Sequence, residues 1–240
     1  MAALHPLDNP ARAALLGPQA HLAERCGAVL RYAADISSFV GLPDEPGRSD
    51  WSDLAKLTGA GGVAATAGVP AVPPAGWQLL MTVDAVQLTG ELVAAIPDAE
   101  AIPLGPADVP EMLDLVARTR PGPFLPRTIV LGGYVGIRRD GALVAMAGER
   151  LRPPGWAEIS AVCTDPAFRG KGLAARLTLA VAAAITARGE QPFLHAASDN
   201  VAALKLYESL GFRLRRPATF VVARAPGASS RQRLNAARCN

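Results

Sequence analysis

Thr164-Asp165-Pro166-Ala167-Phe168-Arg169-Gly170-Lys171-Gly172-Leu173-Ala174-Ala175 is the stretch that decides how this chain is read. It follows WAEISAVC, residues 156–163, which alternates as a strand, and it opens a helix expected from about residue 170 to Arg188. Two glycines let the backbone approach a ligand closely and aim several N–H groups into one concavity. The helix start behind them adds the positive end of its dipole, and Arg169 and Lys171 add full charges. A pyrophosphate suits such a loop better than a protein side chain does; the bland reading is a Gly-rich turn with two solvated cations.

Working outward, Ala101-Ile102-Pro103-Leu104 predicts a short strand, and Asp108 caps a helix that turns Met112, Leu115 and Val116 to one side before Pro121. YVGIRRDGALVAMAGERL, residues 134–151, outlines a hairpin about the Asp140-Gly141 turn. After the loop and its helix come PFLHAAS as a strand, a helix from Asn200 to Leu210 with Gly211 at its end, and TFVVAR as a last strand. The order β-α-β-β-β-α-β-α-β argues for an α/β (α+β) unit on a mixed sheet.

Three phosphate motifs compete for the loop. A Walker A loop requires G-x-x-x-x-G-K-[ST], which the residues around Gly172 and Leu173 do not supply. A dinucleotide fingerprint needs its glycines directly after the strand and an acid about 20 residues on; here TDPAFR intervenes and PFLHA holds no acid. Arg169-x-x-Gly172-x-Ala174 does match the R/Q-x-x-G-x-G/A signature, and at this point the sequence resembles the GNAT superfamily of acyl-CoA-dependent N-acetyltransferases. Asn200-Val-Ala-Ala203-Leu-Lys-Leu-Tyr207-Glu-Ser-Leu-Gly211-Phe212 looks like that family's asparagine-tyrosine helix. The resemblance covers roughly residues 100–225.

The resemblance implies acetyl-CoA as co-substrate. The backbone of Val162, Cys163 and Thr164 would pair with the pantetheine arm like an added strand, and an amide near Val162 would polarise the thioester carbonyl. The amides of Arg169, Gly170, Lys171, Gly172, Leu173 and Ala174 would hold the pyrophosphate, with Arg169 and Lys171 reaching toward the 3′-phosphate. Asn200 either bonds the cofactor or caps its helix. Tyr207 resembles the family's general acid, which protonates the departing thiolate, although a core tyrosine would share the same helix face with Ala203, Leu206 and Leu210. For the general base, Glu158 sits where some members place a glutamate, and His195 on the adjacent strand could act directly or through water. Cys163 as a nucleophile has no identifiable neighbour to lower its pKa.

Residues 1–99 carry no chemical constellation. Asn9-Pro10 starts one helix, QAHLAERCG predicts a second short one, and Asp50 to Leu57 a third. GAGGVAATAGVPAVPPAGW is either a loop or a weak hairpin, and TVDAVQL alternates as a strand. An N-terminal α/β accessory domain is expected over 1–99, with a degenerate copy of the same fold that shapes the acceptor pocket as one reading of it, followed by the GNAT-like domain over 100–225 and a disordered basic tail over 226–240.

Composition bounds the rest. Residues 1–100 carry five basic and eleven acidic side chains, residues 101–225 sixteen and ten, and the last fifteen residues three arginines. The formal charge of +3 therefore equals the tail's excess, while a net of −6 faces a net of +6. Only twelve aromatics are present, too few for stacking bases, so no nucleic-acid partner is expected. Mean hydropathy of +0.21 raises the membrane question, but the largely apolar run from Leu177 to Ala187 spans only eleven residues between arginines where a span needs about 20. No leader is evident in MAALHPLDNPARAA, and a cytoplasmic location is expected. Cys26, Cys163 and Cys239 show no CxxC spacing, and His5, His21 and His195 form no ligand pair, so no metal is expected. The function the resemblance implies is acetyl transfer to a primary amine of a small-molecule or peptide acceptor by direct attack, with a homodimer left open. The rival is a non-catalytic acyl-CoA sensing module whose N-terminal part binds a protein.

Overall fold

The structure, a computed structural model, describes residues 5–68 and 72–227; residues 228–240, which hold nearly all of the expected tail, lie outside them. In chain order the elements are α1 (Pro10–Leu16), β1 (Ala23–Cys26), β2 (Val29–Tyr32), β3 (Val40–Gly41), α2 (Arg48–Thr58), β4 (Val63–Ala67), β5 (Gln78–Thr89), β6 (Ile102–Leu104), α3 (Val109–Thr119), β7 (Tyr134–Arg139), β8 (Ala142–Glu149), β9 (Trp156–Thr164), α4 (Leu173–Ala187), β10 (Gln191–Ala197), α5 (Val201–Ser209) and β11 (Arg213–Arg224). From β6 onward this is the predicted order.

Eight strands form one mixed sheet in the order β4-β11-β5-β10-β9-β8-β7-β6, and β1-β2-β3 form a small second sheet. Within the large sheet β9 and β10 run parallel and the other pairs run antiparallel. The β7–β8 hairpin closes on Asp140 and Gly141, both at positive φ (49° and 81°), as a type I′ turn requires. Strand alternation on β8 separates the two faces. Ala145 and Ala147 pack with Leu177, Val181 and Ile185 of α4, while Met146 packs with Met112 and Leu115 of α3.

The boundary expected at residue 99 does not divide the sheet. β5, from the N-terminal part, lies between β10 and β11, with His195 opposite Gln87 on one side and Phe220 opposite Val83 on the other. β4 then completes the edge beside β11. Residues 1–99 thus supply two strands of the large sheet. The predicted helix QAHLAERCG also gives way, to a 3₁₀ turn at Ala20–Leu22 followed by β1. There Glu24 sits opposite Arg31 of β2 and the two pair at 2.7 Å, so cross-strand pairing overrides helix propensity.

Gln19 ties the parts together. Its buried amide donates to the carbonyls of Leu131 (3.0 Å) and Arg150 (2.8 Å), and its Oε1 accepts from Tyr32 Oη (2.6 Å) and Arg152 N (3.2 Å). Among the described residues, six ion pairs also join acids of residues 1–100 to arginines beyond them. Asp8 pairs with Arg215 and Arg216, Asp35 with Arg127, Asp98 with Arg176, and Glu100 with both Arg139 and Arg176. Because β11 loses both its neighbours without β4 and β5, a chain lacking residues 1–99 is expected to show no cooperative thermal transition by circular dichroism. A sharp transition in that truncation would contradict the single shared sheet.

Candidate active site

The loop after β9 adopts the geometry its sequence demands. Gly170 and Gly172 hold φ of 75° and 74°, a region open to glycine, and open space lies where a Cβ would stand. Gly172 is the N-cap of α4 without any side-chain cap, and the first amide to bond back is Arg176 N, to Gly172 O. The amides of Leu173, Ala174 and Ala175 therefore have no intrahelical partner and sit at the positive end of a 15-residue helix. Arg169 reaches back to Thr164 O at 3.3 Å, and Lys171 Nζ lies 4.8 Å from the centre of the Phe168 ring.

β9 and β10 part company beside this loop. Their parallel register runs only from Trp156/Gln191 to Glu158/Phe193; past that point β9 stays on β8 and β10 stays on β5. β9 is bent by a bulge in which Ala161 takes φ +53°, with the register slipping between Met146 and Gly148 of β8. The opening leads into a cavity of about 940 Å³, lined on this side by Ala161, Val162, Cys163, Thr164, Ala196 and Ala197. Thr164 Oγ1 is buried there without a hydrogen-bond partner. A polar strand edge without a strand partner, an orphaned hydroxyl and an uncapped helix start fit a polyamide arm ending in a pyrophosphate.

Tyr207, on α5, also lines the cavity and is 8% exposed. Burial alone pushes its phenol up to about 12, and no protein group bonds its hydroxyl among the described residues. Asn200 caps α5, its Oδ1 accepting from Ala203 N at 3.1 Å, and it borders the same cavity. Burial pushes the Cys163 thiol up, away from nucleophile chemistry. Among the described residues no group of three or more His, Cys, Asp or Glu side chains gathers as metal ligands, and no helix is long and apolar enough to cross a membrane.

A family model described as FR47-like protein matches residues 134–221. A solved structure of a GNAT-family protein from Novosphingobium aromaticivorans is 39% identical, with a TM-score of 0.84, the match covering 95% of this chain and 100% of that one. The chain belongs to the GNAT family of acetyltransferases. N-alpha-acetyltransferase RimI of Mycobacterium tuberculosis is 42% identical over 83 residues, 33% of this chain and 51% of RimI. Mycothiol acetyltransferase of Thermobispora bispora is 48% identical over 56 residues, 23% of this chain and 19% of the relative. The chain thus spans about half the length of the first relative and about a fifth of the second.

The sheet ties its two base candidates into one network: Glu158 lies behind the cavity, and His195 borders it. Glu158 is fully buried; Arg150 grips it through Nε (2.9 Å) and Nη2 (2.6 Å), and His195 Nδ1 lies 2.7 Å from its Oε1. Burial pushes that carboxyl up, but the Arg150 charge and the bonds from His195 and Arg150 outweigh it and hold the group at about 2. The other ring nitrogen of His195 meets Gln87 Nε2 at 3.1 Å. Gln87 Oε1 accepts from Arg215 (2.8 Å) and its amide also donates to Leu7 O (2.9 Å), which fixes the amide's orientation. The second amide hydrogen then donates to His195 Nε2, leaving the ring hydrogen on Nδ1 to donate to Glu158. Both ring nitrogens of His195 and the Glu158 carboxylate are thus engaged by protein groups, with His195 bordering the cavity.

Arg150, Gln87 and Gln19 carry this network and were not singled out from the sequence. Gln87 had left a trace: it is the polar residue on the face of β5 otherwise occupied by Val83 and Ala85. Since Glu158 titrates lower folded than its ordinary 4.5, it contributes stability above that value which is lost as pH falls toward about 2. Glu158→Gln is expected to destabilise the fold by about 3–5 kcal/mol near neutral pH, because it strands Arg150. In urea titrations the gap between wild type and variant should narrow as pH falls through that window; a gap that is constant with pH would refute the assignment.

Proposed function

We propose that the chain transfers an acetyl group from acetyl-CoA to a primary amine by direct attack within a ternary complex. The observation that carries this reading is the meeting of the parted β9–β10 edges, the uncapped start of α4 and the unpartnered Tyr207 hydroxyl around one cavity. Bound acetyl-CoA would supply the activated thioester. Val162, Cys163 and Thr164 would align its pantetheine arm as an extra strand, and the amides from Arg169 to Ala174 would hold its pyrophosphate, with Arg169 and Lys171 adding charge. Asn200, by capping α5, sets the position of Tyr207.

An amide at the Ala161–Val162 bulge would stabilise the charge developing on the carbonyl oxygen. Tyr207 would act as the acid: a phenol near 12 stays protonated at neutral pH and can hand its hydrogen to a departing thiolate. Glu158 and His195 act here as positioning groups for β9 and β10. Relatives named as acetyltransferases support this reading over a non-catalytic sensing module, and acceptors of the amine class accord with the N-alpha-acetyltransferase name of one of them.

Tyr207→Phe is expected to lower kcat by about 100-fold or more while leaving the KM for acetyl-CoA within a factor of about two. Release of free thiol, followed with an amine panel, checks it. An unchanged kcat would remove Tyr207 from the chemistry.

A further inference from the structure

The same cavity extends beyond the CoA cleft onto the open face of β4, β11 and β5. The strand register places Ala65, Val222 and Met81 in one row and Phe220 beside Val83 in the next, with Phe39 among the other lining residues. This part is apolar. Among the described residues the titratable groups lining the whole cavity are Arg120, Arg150, Arg169, Cys163, His195 and Tyr207, and none is a carboxylate. Glu158 lies behind them, fully buried and held by Arg150 and His195. Arg150 stacks 4.7 Å from the centre of the Phe39 ring and pairs through Nε and Nη2 alone, so Nη1 keeps its donors without a protein partner among the described residues.

We infer that the acceptor is a weakly basic amine that enters uncharged, carried beside a carbonyl on an apolar body, as in the α-amine of an apolar amino-acid derivative. The inference rests on the acetyl-transfer reading above. An ammonium ion would meet the guanidiniums of Arg120 and Arg169, then an Arg150 whose charge Glu158 already balances, and no free anion on the way in. It would also have to lose a proton before attack, and the one imidazole in the wall has both nitrogens engaged. An adjacent carbonyl answers both points: it lowers the basicity of the amine, and its oxygen can accept from Arg150 Nη1. In the transfer itself the neutral nitrogen forms the N–C bond as the C–S bond breaks. Nitrogen sheds one proton to water, sulfur takes one from Tyr207, and water restores the phenol, so no net proton is consumed.

The test uses the full chain, saturating acetyl-CoA and two acceptors with the same phenylalkyl body. Phenylalaninamide carries an α-amine, a class that titrates near 7.7–8.0, and phenethylamine an alkylamine, a class nearer 10.4. With thiol release read between about pH 6.5 and 9.5, phenylalaninamide is expected to have a kcat/KM at least ~30-fold higher at pH 7, part of the few-hundred-fold difference in neutral fraction those values imply. Each rising limb should follow the acceptor's own titration, so the two limbs are offset. A rising limb at one shared pH for both acceptors, or preference for phenethylamine or for a diamine such as cadaverine, would overturn the inference while leaving acetyl transfer intact. Turnover of none of these amines by a protein that still binds acetyl-CoA in calorimetry would overturn the acceptor class alone. Failure to bind acetyl-CoA at all would instead strike the acetyl-transfer reading, and the inference with it.

Discussion

A carboxylate sealed away from water, Glu158, sets conditions that much of the molecule meets. An ion of this kind survives burial only when paired and fully hydrogen-bonded. Arg150 provides the pairing in a two-point grip and His195 the third bond. Each of these partners must be held in turn. Gln19 fixes the Arg150 carbonyl, Phe39 lies against its guanidinium, and Gln87 engages the far nitrogen of His195. Gln87 is held by Leu7 and Arg215, and Arg215 by Asp8. A polar chain thus runs from the first described turn to the middle of the sheet. Such networks rigidify when complete and are costly when broken at any link.

That network also explains where the cleft opens. Glu158 and Phe193 are the last parallel partners of β9 and β10, and the ion cluster sits at the fork. Below it the strands are pinned together. Above it β10 is claimed by β5 through Ala197, and β9 is turned aside by the bulge at Ala161. The opening is a place where two strands each have a better partner on their other side, and it needs no flexible element to form. Its free edges lie beside the α4 N-terminus because the turn through Gly170 and Gly172 folds the chain from the end of β9 into α4.

The C-terminal elements were legible because each has a local cause: Asp140-Gly141 for the hairpin, Gly170 and Gly172 for the anion loop, Asn200 for the cap of α5. Residues of both signature motifs, Tyr207 among them, line one cavity. What the sequence hid is non-local. β4 lies in a Gly- and Ala-rich stretch whose strand character comes from pairing with β11, more than 150 residues later. The place of β5 between β10 and β11 follows from long-range register and left no periodic mark at residue 99. The partners of the candidate bases were hidden for a related reason. Glu158 on an alternating strand looks like any polar position until Arg150, eight residues away across a turn, is seen to face it.

Charge distribution carries the same lesson into function. The excess of acids in the first hundred residues is largely spent inside the molecule, on pairs with arginines of the second half. Exposed pairs of this kind contribute at most about 1 kcal/mol each, so the buried contacts of β5 and Gln19 hold the halves together and the ion pairs set their alignment. Their consequence for the cleft is larger. Acids that could have drawn a cationic acceptor are turned to structural partners, and the cavity keeps Arg120, Arg150 and Arg169 in its walls. On the proposed reading, a positive cleft with apolar flanks would attract the phosphates of CoA from solution and resist an ammonium ion. If that reading holds, the asymmetry first visible in the bare sequence would act on both substrates at once, drawing in one as an anion and admitting the other as a neutral molecule.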